Sequence, residues 1–323
     1  MTALSMEHGS PAADDDRFIG VDLGGTHLRV ASIDASGAIH ASRRVGTARD
    51  GGPEAVIAQI LQLLDDVGTA GAKSVGIGIP GSIDAVTGTV LGIPALPGWD
   101  RIPLGALIRD RAGIPCLLEN DATAAAIGEW RAGAAKGCEH FVYVTISTGI
   151  GAGVVIDGRV LRGARGLAGE IGHTRIADHS DICSCGKIGC WEAVASGTAL
   201  GRRGKRAMES NAGSLLAEVS GAEQLSAFHV GLAARRGDEV ALALLREEAE
   251  LLGLGFVNAQ HLYAPEKIVV GGGLSSLLDL MQDDIELVVR DRLLPGFPPA
   301  PIVVASLGDD AGVIGAALQA ASI

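Results

Sequence analysis

The chain is short of positive charge. Against 26 Lys and Arg it carries 38 Asp and Glu, a formal net charge of −12, so the basic patch that nucleic-acid binding needs is missing. A small anionic ligand stays compatible with that balance, because backbone N–H groups and Mg²⁺ can hold it locally. No apolar run is long enough to span a bilayer; AVIAQILQLL at Ala55–Leu64 reads as a helix face. Residues 1–17 lack the basic start and apolar core of a signal peptide and read as a disordered tail. A soluble, cytoplasmic protein with no membrane partner is the expectation. Aromatic residues make up only 3% of the chain while Gly stands at 47 positions, the mix of an α/β enzyme built from small aliphatic residues and tight turns. Its 323 residues leave room for two domains.

Several nucleotide and hydrolase signatures are absent as well. There is no G-x-x-x-x-G-K-[ST] loop. Gly76–Gly81 (GIGIPG) matches G-x-G-x-x-G, but turn-like Ser82–Gly88 follows where the dinucleotide fingerprint needs a helix N-terminus. No nucleophile elbow supports a Ser–His–Asp site.

What is present concentrates between Glu170 and Glu192. Cys183, Cys185 and Cys190, three of the five cysteines, lie together, with His173 upstream behind the turn-prone Asp178–Asp181 segment. Three thiolates and one imidazole make the closed tetrahedral shell of structural zinc, and Gly186 and Gly189 let the backbone wrap one ion. The alternatives are three reduced cysteines in a Gly-rich loop or a strained disulfide, and nothing points to an oxidising compartment. A closed shell has no position for substrate. Its role would be to hold Glu170 and His173, whose polar groups suit the hydroxyls of a polyol.

Along the chain, Phe18–Gly25 and Leu28–Asp34 read as a hairpin through Gly24-Gly25-Thr26, with a third strand at Ala38–Val45. Pro53–Val67 is an amphipathic helix with Val56, Ile60, Leu63, Leu64 and Val67 on one face. Buried strands are expected at Ser74–Gly81 and Pro115–Asp121. Phe141–Gly158 repeats the opening theme through Thr148-Gly149-Ile150-Gly151, about 125 residues later, which suggests two similar halves unless two Gly-rich hairpins merely coincide. Helices are expected at Glu192–Glu209, Asp238–Tyr263, Leu274–Leu294 and Ala311–Ala321, the last capped by Asp309 or Asp310. Strands at Lys267–Gly273 and Ala300–Ser306 complete the pattern.

The two Gly-rich turns can bring backbone N–H groups close to phosphate oxygens. Asp121, between a strand and a helix, is either an N-cap or a general base taking a proton from an alcohol during phosphoryl transfer, with Asn120 binding the same ligand. Asp22, inside the first phosphate hairpin, could orient Mg²⁺ or its waters.

With these residues assembled, the chain resembles the ROK family of bacterial sugar kinases and related repressors. DLGGTHLR resembles its first phosphate motif, STGIGAG the second and VVGGGLS the adenosine motif. LENDATAAAIGE resembles the segment with the sugar-binding Asn and catalytic Asp. GLAGEIGH with CSCGKIGCWE resembles the signature whose His and three Cys bind zinc. The resemblance implies an α/β, actin-like (ribonuclease H-like) ATPase fold with two lobes and a central nucleotide and sugar cleft. Residues 18–118 plus 300–323 would form the smaller lobe and 119–299 the larger.

It implies Asp121 as base towards a hexose 6-hydroxyl, with Gly81, Asn120, Glu170, His173 and Glu192 at the sugar. Gly24, Gly25, Thr26, Thr148 and Gly149 would hold phosphates and Gly272 the adenosine. His173, Cys183, Cys185 and Cys190 would hold structural zinc, and Mg²⁺ would arrive with ATP. With 17 residues before the first strand, a helix-turn-helix repressor is not expected. Glucose is the first expected substrate and N-acetylmannosamine the second; fructose, allose and mannose kinases share the motifs, and a sugar-sensing regulator is the non-catalytic alternative. A homodimer or dimer of dimers is implied by the family alone.

Overall fold

The computed structural model describes residues 16–93, 95–176, 180–211 and 213–322. The expected N-terminal tail and the Asp178 end of the expected turn lie largely outside them. The chain divides into two compact units. One comprises residues 1–136, 162–168 and 309–323; the other comprises 137–161 and 169–308.

The first unit is built on β1 (Arg17–Leu23), β2 (His27–Asp34), β3 (Ile39–Gly46), α1 (Gly52–Val67), β4 (Ala72–Ile79), β5 (Ser82–Asp84), β6 (Thr89–Gly92), α2 (Leu104–Ala112), β7 (Cys116–Asn120) and α3 (Asp121–Ala132). Its main sheet has the order β3-β2-β1-β4-β7. The first three strands form an antiparallel meander, and β4 and β7 add in parallel. β5 and β6 make a separate small hairpin. The apolar face of α1 falls where its 3.6-residue spacing puts it, with Val56, Ile60, Leu63, Leu64 and Val67 all buried.

The C-terminal helix, Ala311–Ala320, closes this unit by direct backbone packing. Gly20 of β1 pairs with Gly76 of β4, and a Cβ on either would collide with the helix carbonyls of Val313 and Ala316. On its other side, a Cβ at Gly315 would strike the carbonyl of Ala124 in α3, and one at Gly128 the carbonyl of Ala311. Missing side chains, not large ones, make the fit. Asp310 occupies the N-cap position but makes no side-chain cap; its carboxylate is held instead by Arg29 at 2.6 Å.

The second unit contains β8 (Phe141–Ile146), β9 (Ile150–Ile156), β10 (Arg159–Val160), α4 (Trp191–Ala195), α5 (Gly197–Ser210), α6 (Leu216–Ser220), α7 (Ala227–Arg235), α8 (Glu239–Tyr263), β11 (Lys267–Gly271), α9 (Gln282–Arg292) and β12 (Ile302–Val304). Its sheet order is β10-β9-β8-β11-β12. Two antiparallel pairs and two parallel ones recur in the same positions as in the first sheet. The repeated hairpin is therefore part of a repeated sheet. Trp191 is wholly buried, stands edge-on to Phe256 at 5.5 Å, donates to the Leu251 carbonyl at 3.0 Å and lies flat against Gly255, where any Cβ would enter its ring.

Three expectations differ from this arrangement. The 118/119 and 299/300 lobe boundaries do not match the units: α3 belongs to the first unit through its packing on the C-terminal helix, while β12 pairs with β11 and completes the second sheet. The helix expected from Glu192 breaks at Ser196, whose hydroxyl caps α5 by accepting from Ala199 N. The stretch expected as one helix from Leu274 is a 3₁₀ run, Gly273–Leu280, followed by α9. No helix among the described residues is long and apolar enough to cross a membrane.

Replacing Gly315 by Val should lower unfolding free energy by about 3 kcal/mol, the upper range of overpacking effects. Val at Gly213, where an added Cβ meets nothing, should cost far less. Denaturant titration of the two variants checks this.

Candidate active site and metal loop

In the first unit the site elements collect at the carboxyl ends of β1, β4 and β7, the end at which open α/β sheets bind ligands. The Gly24-Gly25-Thr26 turn joins β1 to β2 and is closed by Gly24 N donating to the His27 carbonyl at 2.8 Å. Thr47 braces it from β3's end, its hydroxyl donating to the Gly24 carbonyl at 2.7 Å. The strand register sets Asp22 beside Gly78, and Gly78 beside Glu119. Asp22 is half-buried with its carboxylate against Gly312 of the C-terminal helix. Burial pushes its carboxyl up, against the opposing pull of Arg29.

Asp121 and its neighbour both meet the first N–H groups of α3. Asn120 is the N-cap of α3: its Oδ1 accepts from Ala122 N at 3.0 Å and from Thr123 N at 3.2 Å. Asp121 is the first helical residue, with Oδ1 accepting from Ala122 N at 2.8 Å. The Nδ2 of Asn120 lies 3.5 Å from the Gly81 carbonyl, so Gly81 and Asn120 do come together. With its oxygen occupied by the cap, Asn120 offers a ligand only its amide N–H groups.

Behind these residues Glu119 is buried, its side chain 2% exposed. Its oxygens accept from Asn120 N, from Gln319 and from Arg162 at 3.0 to 3.1 Å. Burial pushes its carboxyl up, and Arg162 opposes that shift.

In the second unit Thr148 and Gly149 form the turn between β8 and β9. Gly197 N donates to the Ser147 carbonyl at 2.8 Å and the Thr198 hydroxyl to the Thr148 carbonyl at 2.7 Å. The start of α5 is thus fastened to the turn. Gly272, with φ +79°, lies so close to the Ile146 carbonyl that no Cβ fits. Thr148 and Gly273, next to Gly272, line one cavity of about 690 Å³. Its other walls come from α5, α7 and the segment before α7, including Thr198, Gly201, Arg202, Lys205, Ser226 and Phe228. Sequence reasoning missed these wall residues, because no motif spacing marks them.

The metal loop assembles as expected. His173, Cys183, Cys185 and Cys190 bring one donor atom each within 4.8 Å of one another. Cys185 and Cys190 sulfurs are 3.7 Å apart, and Cys183 Sγ is 3.5 Å from His173 Nδ1. Tetrahedral zinc, with Zn–S about 2.3 Å and Zn–N about 2.0–2.1 Å, separates two sulfurs by about 3.8 Å and sulfur from nitrogen by about 3.5 Å. The donor set fits such an ion and is too open for a disulfide, whose S–S bond is about 2.05 Å. Burial first, then the neighbouring thiols, push the Cys190 thiol up to about 12; a dication among the sulfurs reverses that order.

The loop aims two further groups. With Nδ1 facing sulfur, His173 Nε2 faces Glu170 at 3.9 Å, and both side chains reach solvent. Glu192 has both carboxylate oxygens engaged within the chain. Its Oε2 accepts from Ile150 N at 3.1 Å and its Oε1 from Ser184 Oγ at 2.8 Å. It therefore bridges the cysteine loop and the β8–β9 turn, where Gly149 leaves the space it fills.

Comparison with known proteins matches this arrangement. The chain is 38% identical over 304 residues to a glucokinase of Thermotoga maritima, covering 93% of this chain and 96% of the relative. It is 32% identical over 309 residues to an N-acetylmannosamine kinase of Yersinia pestis, covering 94% and 97%. A solved ROK family glucokinase from Streptomyces griseus, in complex with glucose and AMPPNP, superposes with a TM-score of 0.83 at 35% identity, over 94% of this chain and 99% of that one. The repeated α/β sheet is the actin-like ATPase fold that the motifs imply. The ROK family profile matches residues 18–322, and the chain belongs to that family.

Proposed function

We propose that the protein is a glucokinase-type kinase that transfers the γ-phosphoryl group of ATP to the 6-hydroxyl of glucose. The observation that carries this reading is at the end of β7: Asn120 is the N-cap and accepts from Ala122 N and Thr123 N, so the α3 cap does not rest on Asp121, which shares only Ala122 N. Relatives named glucokinase at 34–38% identity over most of the chain support the same reaction and sugar.

Asp121 orients the 6-hydroxyl and accepts its proton as the hydroxyl oxygen bonds to the γ-phosphorus. The bond from that phosphorus to the β,γ-bridging oxygen breaks, and ADP leaves. N–H groups of the Gly24–Thr26 and Thr148–Gly149 turns hold phosphate oxygens, and Asp22 orients the Mg²⁺ that accompanies ATP. The cavity beside Gly272 takes the adenosine. Asn120 donates to a sugar oxygen through Nδ2, and the exposed Glu170 and His173 Nε2 offer an acceptor and a donor to neighbouring hydroxyls.

His173 Nδ1, Cys183, Cys185 and Cys190 hold zinc in this reading. With four protein donors the ion supplies a cross-link and leaves no position for substrate. Cytoplasmic location and a homodimer remain part of the proposal on family grounds.

A coupled ADP-release assay with ATP·Mg²⁺ over glucose, N-acetylmannosamine, fructose, mannose and allose should show a preference for glucose. Preference for N-acetylmannosamine would move the substrate to the second family of relatives, and silence on all five would favour a sugar-sensing role. Asp121→Asn should keep glucose affinity while kcat falls by about 10²–10⁴-fold, the contribution of a positioned base; near-normal turnover would reject Asp121 as base. Cys185→Ala should lose the expected single zinc per chain and, with it, ordered binding of glucose. Full glucose affinity in a zinc-free variant would remove the cross-link role.

A further inference from the structure

Two adjacent arginines leave α5 in different directions. Arg203 turns inward, donating to the Val194 carbonyl and pairing with the buried Glu248 of α8. Arg202 turns to the metal loop, where its Nη2 donates to Asp181 Oδ2 at 2.8 Å and to the Ala193 carbonyl at 2.7 Å. Asp181 stands two residues before Cys183, with its side chain 15% exposed. Arg206, one turn along α5, reaches its other oxygen at 3.7 Å. Arg202 also lines the cavity of about 690 Å³, while its Nε is buried without a hydrogen-bond partner.

Because the two N–H groups of Nη2 lie in the guanidinium plane, donating one to a carboxylate and the other to a carbonyl orients that plane, which a rotating ammonium does not do. The Asp181 contact therefore fixes part of the cavity wall. Glu192 makes a second tie from the same loop to the turn that carries Thr148, a cavity-lining residue, since its carboxylate joins Ser184 to Ile150 N. Both ties run between the cysteine loop and the wall beside the phosphate turn.

We propose that Asp181 and Arg202 are positioning residues for the phosphate donor, through which the metal loop shapes the nucleotide cavity as well as holding Glu170 and His173. This rests on the reading of that cavity as the adenosine site. In the alternative, the ion pair only stiffens the loop, and its loss would weaken sugar and nucleotide binding alike.

The test uses Asp181→Asn, Arg202→Lys and the double variant, with zinc content by metal analysis, affinity for a non-hydrolysable ATP analogue by calorimetry, and KM for ATP and for glucose. Zinc should remain in all three. Nucleotide affinity should weaken about tenfold while glucose KM stays within about twofold. The double variant should be no worse than the weaker single one, because both changes cut one link. Arg206→Ala, whose side chain is 53% exposed, should leave nucleotide affinity unchanged. Wild-type nucleotide affinity in both single variants overturns the proposal, as does an equal loss for glucose and nucleotide. Failure of the wild-type protein to bind any adenine nucleotide would overturn the underlying reading, and this proposal with it.

Discussion

An imidazole has two nitrogens on opposite edges, and the cysteine loop faces one of those of His173. Nδ1 faces Cys183 Sγ at 3.5 Å while Nε2 faces Glu170. A cation held through Nδ1 leaves the proton on Nε2, so the outward edge of the ring is a donor by necessity. Beside it, Glu170 is an acceptor. A fixed donor and acceptor three residues apart form a pattern that hydroxyl groups can read in both directions. Without the sulfur-rich shell the ring could take either tautomer and several rotamers. The loop holds more than this pair: the contacts of Glu192 and Asp181 run from it to the β8–β9 turn and to α5.

Close backbone approach is the second constraint, and it works the same way in the core and at the site. The C-terminal helix meets β1 and β4 over Gly20 and Gly76 and meets α3 over Gly128 and Gly315. At the site, Gly149 makes room for the Glu192 carboxylate and Gly272 for the Ile146 carbonyl. A methyl group at any of these points would have to displace backbone or a hydrogen-bonded carboxylate, not a mobile side chain. Part of the glycine content thus serves contact surfaces, while 20 glycines among the described residues take positive φ. Such close approach lets few aromatic residues suffice for two packed units, with Trp191 and Phe256 fully buried edge-to-face in the second.

The two sheets share one strand order, and the parts proposed for chemistry occupy corresponding places in each. Both hairpin turns follow the central strand, β1 in one and β8 in the other. β7 and β12, the outermost parallel strands, lead into α3 and the C-terminal helix. Only the first of these junctions carries the Asn-Asp pair, while the metal loop belongs to the second unit alone. The two candidate turns therefore sit at equivalent places in the two sheets, while the Asn120-Asp121 junction and the cysteine loop each occur in one unit only.

Contiguous residues were enough to read the chemistry that acts over a few bonds. The cysteine spacing with His173, the two Gly-rich hairpins, the α1 face and the strand-to-helix junction at Asp121 are all local patterns, and they keep their meaning wherever the segment lies. What depended on tertiary structure was the choice among partners distant in sequence. Asn120 and Asp121 compete for one helix cap, and the outcome turns on side-chain orientation, which spacing does not encode. β12 joins the second sheet because β11 presents a parallel edge to it, although its following helix returns to the first unit. The motif that contains Glu192 does not say that its carboxylate meets an N–H 42 residues away. The cavity walls on α5 and α7 are brought to the β8–β9 turn by packing alone, and polar residues on a helix face carry no mark of what they will face.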